Sequence, residues 1–172
     1  DVRLGGVTIR YVPAGHVLGS AQIILDHAGE RVVVTGDYKR RPDPTCLPFE
    51  PVPCDIFVTE ATFGLPVFRH PDTGSEMDRL LAALHANPDR CVLVGAYALG
   101  KAQRVIAELR GRGHHDAIYI HGALERMCAL YQDFGVELGA LHPATGVPAK
   151  EMRGHIILSP PSALNDRWSR RL

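Results

Sequence analysis

The chain has 172 residues, 45% of them apolar and 22% charged, ordinary proportions for a globular protein with a substantial core. Nineteen basic and nineteen acidic residues cancel, which argues against a non-specific nucleic-acid binder that works through a large positive surface. No apolar run approaches the roughly 20 residues of a membrane span, so neither a membrane protein nor a membrane partner is expected.

Val7-Thr8-Ile9-Arg10-Tyr11 alternates in the manner of a half-buried strand. Residues 22–25 and 31–34 are predicted strands joined by a turn at His27-Ala28-Gly29-Glu30. Five prolines and two cysteines between residues 40 and 55 exclude regular structure there. Ile56-Phe57-Val58-Thr59 has the pattern of a short buried strand, ending at Glu60.

Beyond Glu60 the pattern changes. A loop rich in Pro and Gly precedes a helix marked by Met77, Leu80, Leu81 and Leu84 and ended by Asn87-Pro88. A strand at 91–94 leads through Gly95 into a helix carrying Val105, Ile106 and Leu109. A strand at 117–120, a helix from Leu124 to Phe134 closed by Gly135, and a strand at 155–158 follow. Strand-dominated sequence therefore gives way to alternating helix and strand, the signature of a parallel α/β layer. The composition shift lies at about residues 61–65 and predicts domains at 1–62 and 63–172.

The four cysteines, Cys46, Cys54, Cys91 and Cys128, form no C-x-x-C pair, so zinc-ribbon and thioredoxin classes are disfavoured. Cys91 and Cys128 sit in apolar contexts as expected buried thiols. A Cys46–Cys54 disulfide is the lesser expectation, and a reducing, cytoplasmic compartment is implied.

Two residues stand out chemically. His16 lies in Pro13-Ala14-Gly15-His16-Val17-Leu18-Gly19-Ser20-Ala21, and Asp37 in Thr35-Gly36-Asp37-Tyr38, each on a Gly-flanked loop beside a strand. Imidazole and carboxylate are ligand types for zinc or manganese. The plainer alternatives are a loop histidine satisfied by backbone and a turn-capping aspartate. Glu60, in Thr59-Glu60-Ala61-Thr62-Phe63-Gly64, is either a carboxylate that orients a metal-bound histidine or a helix cap. The strand-loop-helix segment from Gly95 through Gly100 to Arg104 offers backbone N–H groups, with Lys101, Gln103 and Arg104, to a phosphate; ordinary strand-to-helix packing is the alternative. Ser162, in Ser159-Pro160-Pro161-Ser162, either lines a substrate channel or belongs to a rigid loop. Arg167, Arg170 and Arg171 with Trp168 suit single-stranded nucleic acid, or are simply exposed arginines.

Taken in order, the His16, Asp37 and Glu60 motifs resemble those of the metallo-β-lactamase fold in its β-CASP branch of nucleases. Gly36-Asp37-Tyr38-Lys39, Pro42-Asp43-Pro44-Thr45-Cys46, Pro48-Phe49-Glu50-Pro51 and Thr62-Phe63-Gly64-Leu65-Pro66 resemble, more narrowly, bacterial ligase-associated DNA exonucleases. The resemblance implies partial αββα core strands followed by a parallel-sheet α/β β-CASP domain. It implies His16 as a ligand and Asp37 as a bridging ligand of two divalent ions, zinc before manganese. It makes Asp37, Glu60 and His16 catalytic, in metal-dependent hydrolysis of phosphodiester bonds during DNA end repair. The implied partners are DNA and an ATP-dependent DNA ligase. An RNA-processing nuclease of the same branch and a catalytically silent nucleic-acid-binding module are the alternatives. The family's H-x-H-x-D-H cluster is nowhere in the sequence, and His114-His115-Asp116 has the wrong spacing to replace it. The expectation is therefore an internal stretch of a longer enzyme, inactive by itself.

Overall fold

A computed structural model describes residues 1–172. They form two compact units, 1–70 and 71–172, so that residues 63–70 lie with the first unit although the composition shift precedes them.

The first unit is one five-stranded sheet in chain order: β1 (Val2–Leu4), β2 (Val7–Pro13), β3 (Ala21–His27), β4 (Glu30–Val34) and β5 (Ile56–Val58). The first four pair antiparallel, and β5 runs parallel to β4. The β3–β4 hairpin turns at Ala28 and Gly29, whose φ values of 51° and 89° give the paired left-handed conformation that matches strand twist. Period-two alternation then sorts the faces. Gln22, Ile24, Val33 and Thr35 are fully buried, and the same face carries Asp26 bonded to Arg31 at 2.6 Å and to Arg10 at 3.2 Å. The opposite face is open, with Tyr11 65%, Ile23 36% and Val58 50% exposed.

The Pro-rich stretch 40–55 has no regular structure, as its composition requires, yet it is tied to the sheet. Gln22 Nε2 donates to Pro13 O at 3.0 Å and to Glu50 O at 2.7 Å. Glu50 N donates to Pro13 O, and Arg31 N to the Asp55 carboxylate at 2.7 Å. One expectation is corrected here. The apolar run at 56–58 is a strand but an exposed one, because it lies at the sheet edge with a neighbour on one side only. A short continuous apolar run does not distinguish a covered strand from an uncovered edge.

The second unit is a four-stranded, wholly parallel sheet in the order β6-β9-β7-β8, as the helix–strand alternation predicts. Its strands are β6 (Val92–Gly95), β7 (Ile118–Ile120), β8 (Leu141–Pro143) and β9 (Ile156–Ser159). Helices α1 (Thr73–His85), α2 (Lys101–Gly111) and α3 (Gly122–Asp133) bury Leu84, then Ile106 and Leu109, then Leu124, Cys128 and Tyr131. Asp72 caps α1 by accepting from Ser75 N at 3.0 Å. β9 lies inside the sheet with all four residues buried. β8 was not anticipated, since three residues ending in Pro carry too little periodicity to announce a strand. Arg110 closes this unit by donating to the backbone oxygens of His114, Asp116, Leu138 and Ala140. All four cysteines are free; Cys128 is buried as expected, whereas Cys91 is only half-buried. No helix is long and apolar enough to cross a membrane.

Two outcomes follow from this packing. Leu158→Ala, in the central strand, is expected to cost about 2–5 kcal/mol, read as a lower denaturant midpoint for the second unit. His114 is 7% exposed and its Nε2 has no partner. Burial holds its imidazole below the usual histidine value, so the folded state favours the neutral ring. Stability from this group is present above roughly pH 6.5 and declines as pH falls towards the lower folded value. His114→Leu is expected to flatten the fall in Tm between about pH 7.5 and 5.5, measured by scanning calorimetry.

Candidate functional site

The His16 loop is built by a small set of backbone bonds. Ala14 N donates to Ser20 O and Ser20 N to Val17 O, each at 3.0 Å. Ser20 Oγ accepts from the amides of His16 and Val17 at 3.0 and 3.1 Å. The serine thereby closes the loop from within and leaves the imidazole free to point outward.

Asp37 follows β4 on a second loop, entered through Thr35, whose amide donates to Val58 O at 3.0 Å. The two loops meet. His16 Nε2 lies 3.8 Å from Asp37 Oδ2, with the side chains 43% and 76% exposed. This separation is below the sum of two ligand bonds of roughly 2.0–2.2 Å, so both atoms can reach one ion. The chemistry of this donor pair fits zinc or manganese. The pair is also incomplete, because no group of three or more His, Cys, Asp or Glu side chains converges anywhere in the chain. A groove of about 420 Å³, lined by Tyr38, Arg40, Phe49, Pro51, Val52 and Phe57, begins one residue after Asp37.

Glu60 lies two residues beyond β5. Its Oε2 accepts from Thr62 N at 2.7 Å. That amide, followed by the Thr62 hydroxyl, holds the carboxyl below the usual range, and the nearby His16 imidazole adds to the effect. Glu60 is thus ionised, close to His16, and turned partly to its own loop.

The segment from Gly95 to Arg104 departs from the picture of free donors. Gly100 is buried and takes φ 79° just before α2, where it caps without a side chain. The amides of Lys101 and Ala102 donate to Leu99 O and Tyr97 O. Gln103 is fully buried, with Nε2 donating to Ala98 O at 2.9 Å and contacting Cys128 Sγ at 3.4 Å. Arg104 donates to Thr73 Oγ1 at 2.9 Å and lies 3.9 Å from Glu108. Lys101 remains exposed, with its ammonium 5.3 Å from the Tyr97 ring centre. Of the side chains expected to meet phosphate here, Lys101 is therefore the one turned to solvent. Ser162 is exposed in a short 3-10 turn after β9. Trp168 packs edge-on against His121 at 4.8 Å, while Arg167, Arg170 and Arg171 are exposed.

No sequence signal marks the Lys39–Asp43 pair, whereas the glycine before His16 already allows close backbone packing or positive φ. Gly15 is buried at φ 70°, and a Cβ there would stand 2.4 Å from Lys39 O and 2.7 Å from Phe49 N. The sequence signal for this is the glycine itself beside His16. Gly15→Ala must push the loops apart and strain the backbone. It is expected to lose on the order of 2 kcal/mol or more, read by urea unfolding of the first unit.

No family model matches the chain. It is 29% identical over 171 residues to a protein named "Probable DNA ligase" from Opitutus terrae, covering 97% of this chain and 16% of that one. It is 31% identical over 138 residues to the cleavage and polyadenylation specificity factor subunit 3 of Dictyostelium discoideum, covering 74% and 17%. With the endoribonuclease YSH1 of Yarrowia lipolytica it shares 32% identity over 145 residues, 77% of this chain and 17% of that one. The chain therefore spans 16–17% of the length of these relatives. A crystal structure of a protein of unknown function from Enterococcus faecalis shares the fold, with a TM-score of 0.57 at 12% identity, over 92% of this chain and 42% of that one. By the order of its motifs, its sheet followed in sequence by a parallel α/β unit, and these relatives, the chain belongs to the metallo-β-lactamase-fold β-CASP family.

Proposed function

We propose that this chain is part of a metal-dependent nuclease that hydrolyses phosphodiester bonds in DNA, trimming ends for an ATP-dependent DNA ligase. The observation that carries the DNA assignment is the extent of likeness. It runs over 97% of the chain for the relative named as a probable DNA ligase, against 77% for the Yarrowia endoribonuclease. The pairing of His16 Nε2 with Asp37 Oδ2 at 3.8 Å supports the metal assignment.

In this reading His16 and Asp37 would hold their share of two divalent ions, zinc before manganese, and Asp37 would be the carboxylate shared between them. Such ions, when bound, lower the pKa of water and neutralise charge on the reacting phosphate. Asp37, 76% exposed on its side chain, is accessible to an incoming ion. Glu60, whose carboxyl is held below the usual range beside His16, would accept a hydrogen bond from a ligand imidazole and so fix its tautomer. Lys101 supplies a positive charge to the phosphate backbone. The free cysteines accord with a reducing, cytoplasmic setting.

RNA is the second substrate to weigh, because the Yarrowia relative is named an endoribonuclease. Matched DNA and RNA strands offered to the full-length enzyme decide between them, and preferential cleavage of RNA would overturn the DNA assignment. In that enzyme Asp37→Asn is expected to abolish turnover while DNA affinity changes little. Normal turnover at saturating DNA would remove Asp37 from the chemistry. The 172-residue chain, with two donors where a closed site needs about four, is expected neither to retain two equivalents of metal nor to cleave DNA. Elemental analysis of the purified chain checks this.

A further inference from the structure

We propose that Asp43, acting through Lys39, is a positioning residue that sets where His16 stands relative to Asp37. The inference deepens the reading of His16 and Asp37 as metal ligands and rests on it.

The Asp43 side chain is 3% exposed. A carboxylate this deep persists only with partners on its oxygens, and it has them. Oδ1 accepts from Thr45 N at 2.9 Å and from Thr45 Oγ1 at 2.6 Å. Oδ2 receives the Lys39 ammonium in a close ion pair. The lysine side chain is itself only 19% exposed, so this is not a solvated surface pair of negligible worth.

Lys39 does more than neutralise Asp43. Its Nζ also donates to His16 O at 3.3 Å, and its backbone amide donates to Ala14 O at 3.0 Å. It therefore grips the His16 loop on both sides of Gly15, the residue whose missing Cβ lets Lys39 O approach. Lys39 is also two residues from Asp37, on the same loop. One short stretch of chain thus carries one ligand and holds the backbone of the other. Thr45 fixes Asp43, Asp43 fixes the ammonium, and the ammonium fixes His16 O. Without the charge at Asp43, Lys39 loses the partner that points it at His16, and the imidazole is released while Asp37 stays on its own loop.

The test uses the ¹⁵N-labelled 172-residue chain titrated with Mn²⁺, whose paramagnetism broadens nearby amide signals even at weak occupancy. In the unaltered chain the amides of His16 and Asp37 are expected to broaden together. In Asp43→Asn the broadening at Asp37 is expected to persist while that at His16 needs roughly 10-fold more Mn²⁺ or more, the scale seen when partners of a metal ligand are removed. Lys39→Met is expected to act likewise and keeps the test alive should Asp43→Asn not fold; Lys39→Arg is expected to restore joint broadening. Tm measured in parallel separates a local release from general loss of structure. Joint broadening that is unchanged in both Asp43→Asn and Lys39→Met overturns the positioning role and leaves the metal reading intact. Absence of broadening at His16 and Asp37 in the unaltered chain even at millimolar Mn²⁺ overturns the placement of the two donors for one ion, and the positioning role with it, whereas the metal reading of the full-length enzyme is judged by its own metal content.

Discussion

Everything at the candidate centre depends on the close approach of two irregular loops, one after β2 and one after β4. Gly15 lies against Lys39 O and Phe49 N with no room for a Cβ. Gln22, buried in β3, bonds the oxygens of Pro13 and Glu50. Loops are ordinarily the mobile part of a fold. Here they are fastened by a buried amide, a buried ion pair and a steric contact, so that His16 and Asp37 face each other before any ion binds. Such prior placement reduces what an ion must order on arrival.

The two units use their sequence differently. In the second, a parallel sheet buried along β9 and covered by helices supplies stability, and some of its polar side chains turn inward. Gln103 and Arg110 show this: both look like surface residues by type, and both serve backbone carbonyls inside the unit. In the first, only one face of the sheet is closed, and the closing material is the Pro-rich stretch 40–55. That stretch needs few internal hydrogen bonds because proline lacks the donor, and it leaves sheet and loop donors to bind it from below.

Much of the fold was legible in the sequence. The β3–β4 hairpin was written in two short apolar runs and a turn at His27-Ala28-Gly29-Glu30, and the parallel sheet in the helix–strand alternation after residue 75. His16 and Asp37 were legible as candidates because each follows a strand on a Gly-flanked loop. What escaped notice is information that lies between distant positions. Asp43 sits in a proline-rich run and looks like a turn residue; its role depends on Lys39 and on the His16 carbonyl, a pairing no periodicity encodes. Gln103 failed as a phosphate ligand for a similar reason. A polar residue at a helix start suggests an exposed donor, while its actual direction was fixed by the packing of α2 near Cys128. The exposure of Ile56-Phe57-Val58 was equally hidden, because an apolar triplet signals a strand without telling what flanks it.

That exposed edge bears on handling the chain as a separate molecule. β5 presents Ile56, Phe57 and Val58 at 51%, 46% and 50% exposure beside an unpaired backbone edge, with no charged or proline residue inside the strand to blunt it. Edges of this kind template strand pairing between chains. The apolar stripe that continues through Ile23 and Tyr11 widens the sticky area. Colloidal behaviour, rather than unfolding, then sets the highest concentration at which the chain stays dispersed, and a lysine placed at the tip of this edge would raise that ceiling without touching the loops that hold His16 and Asp37.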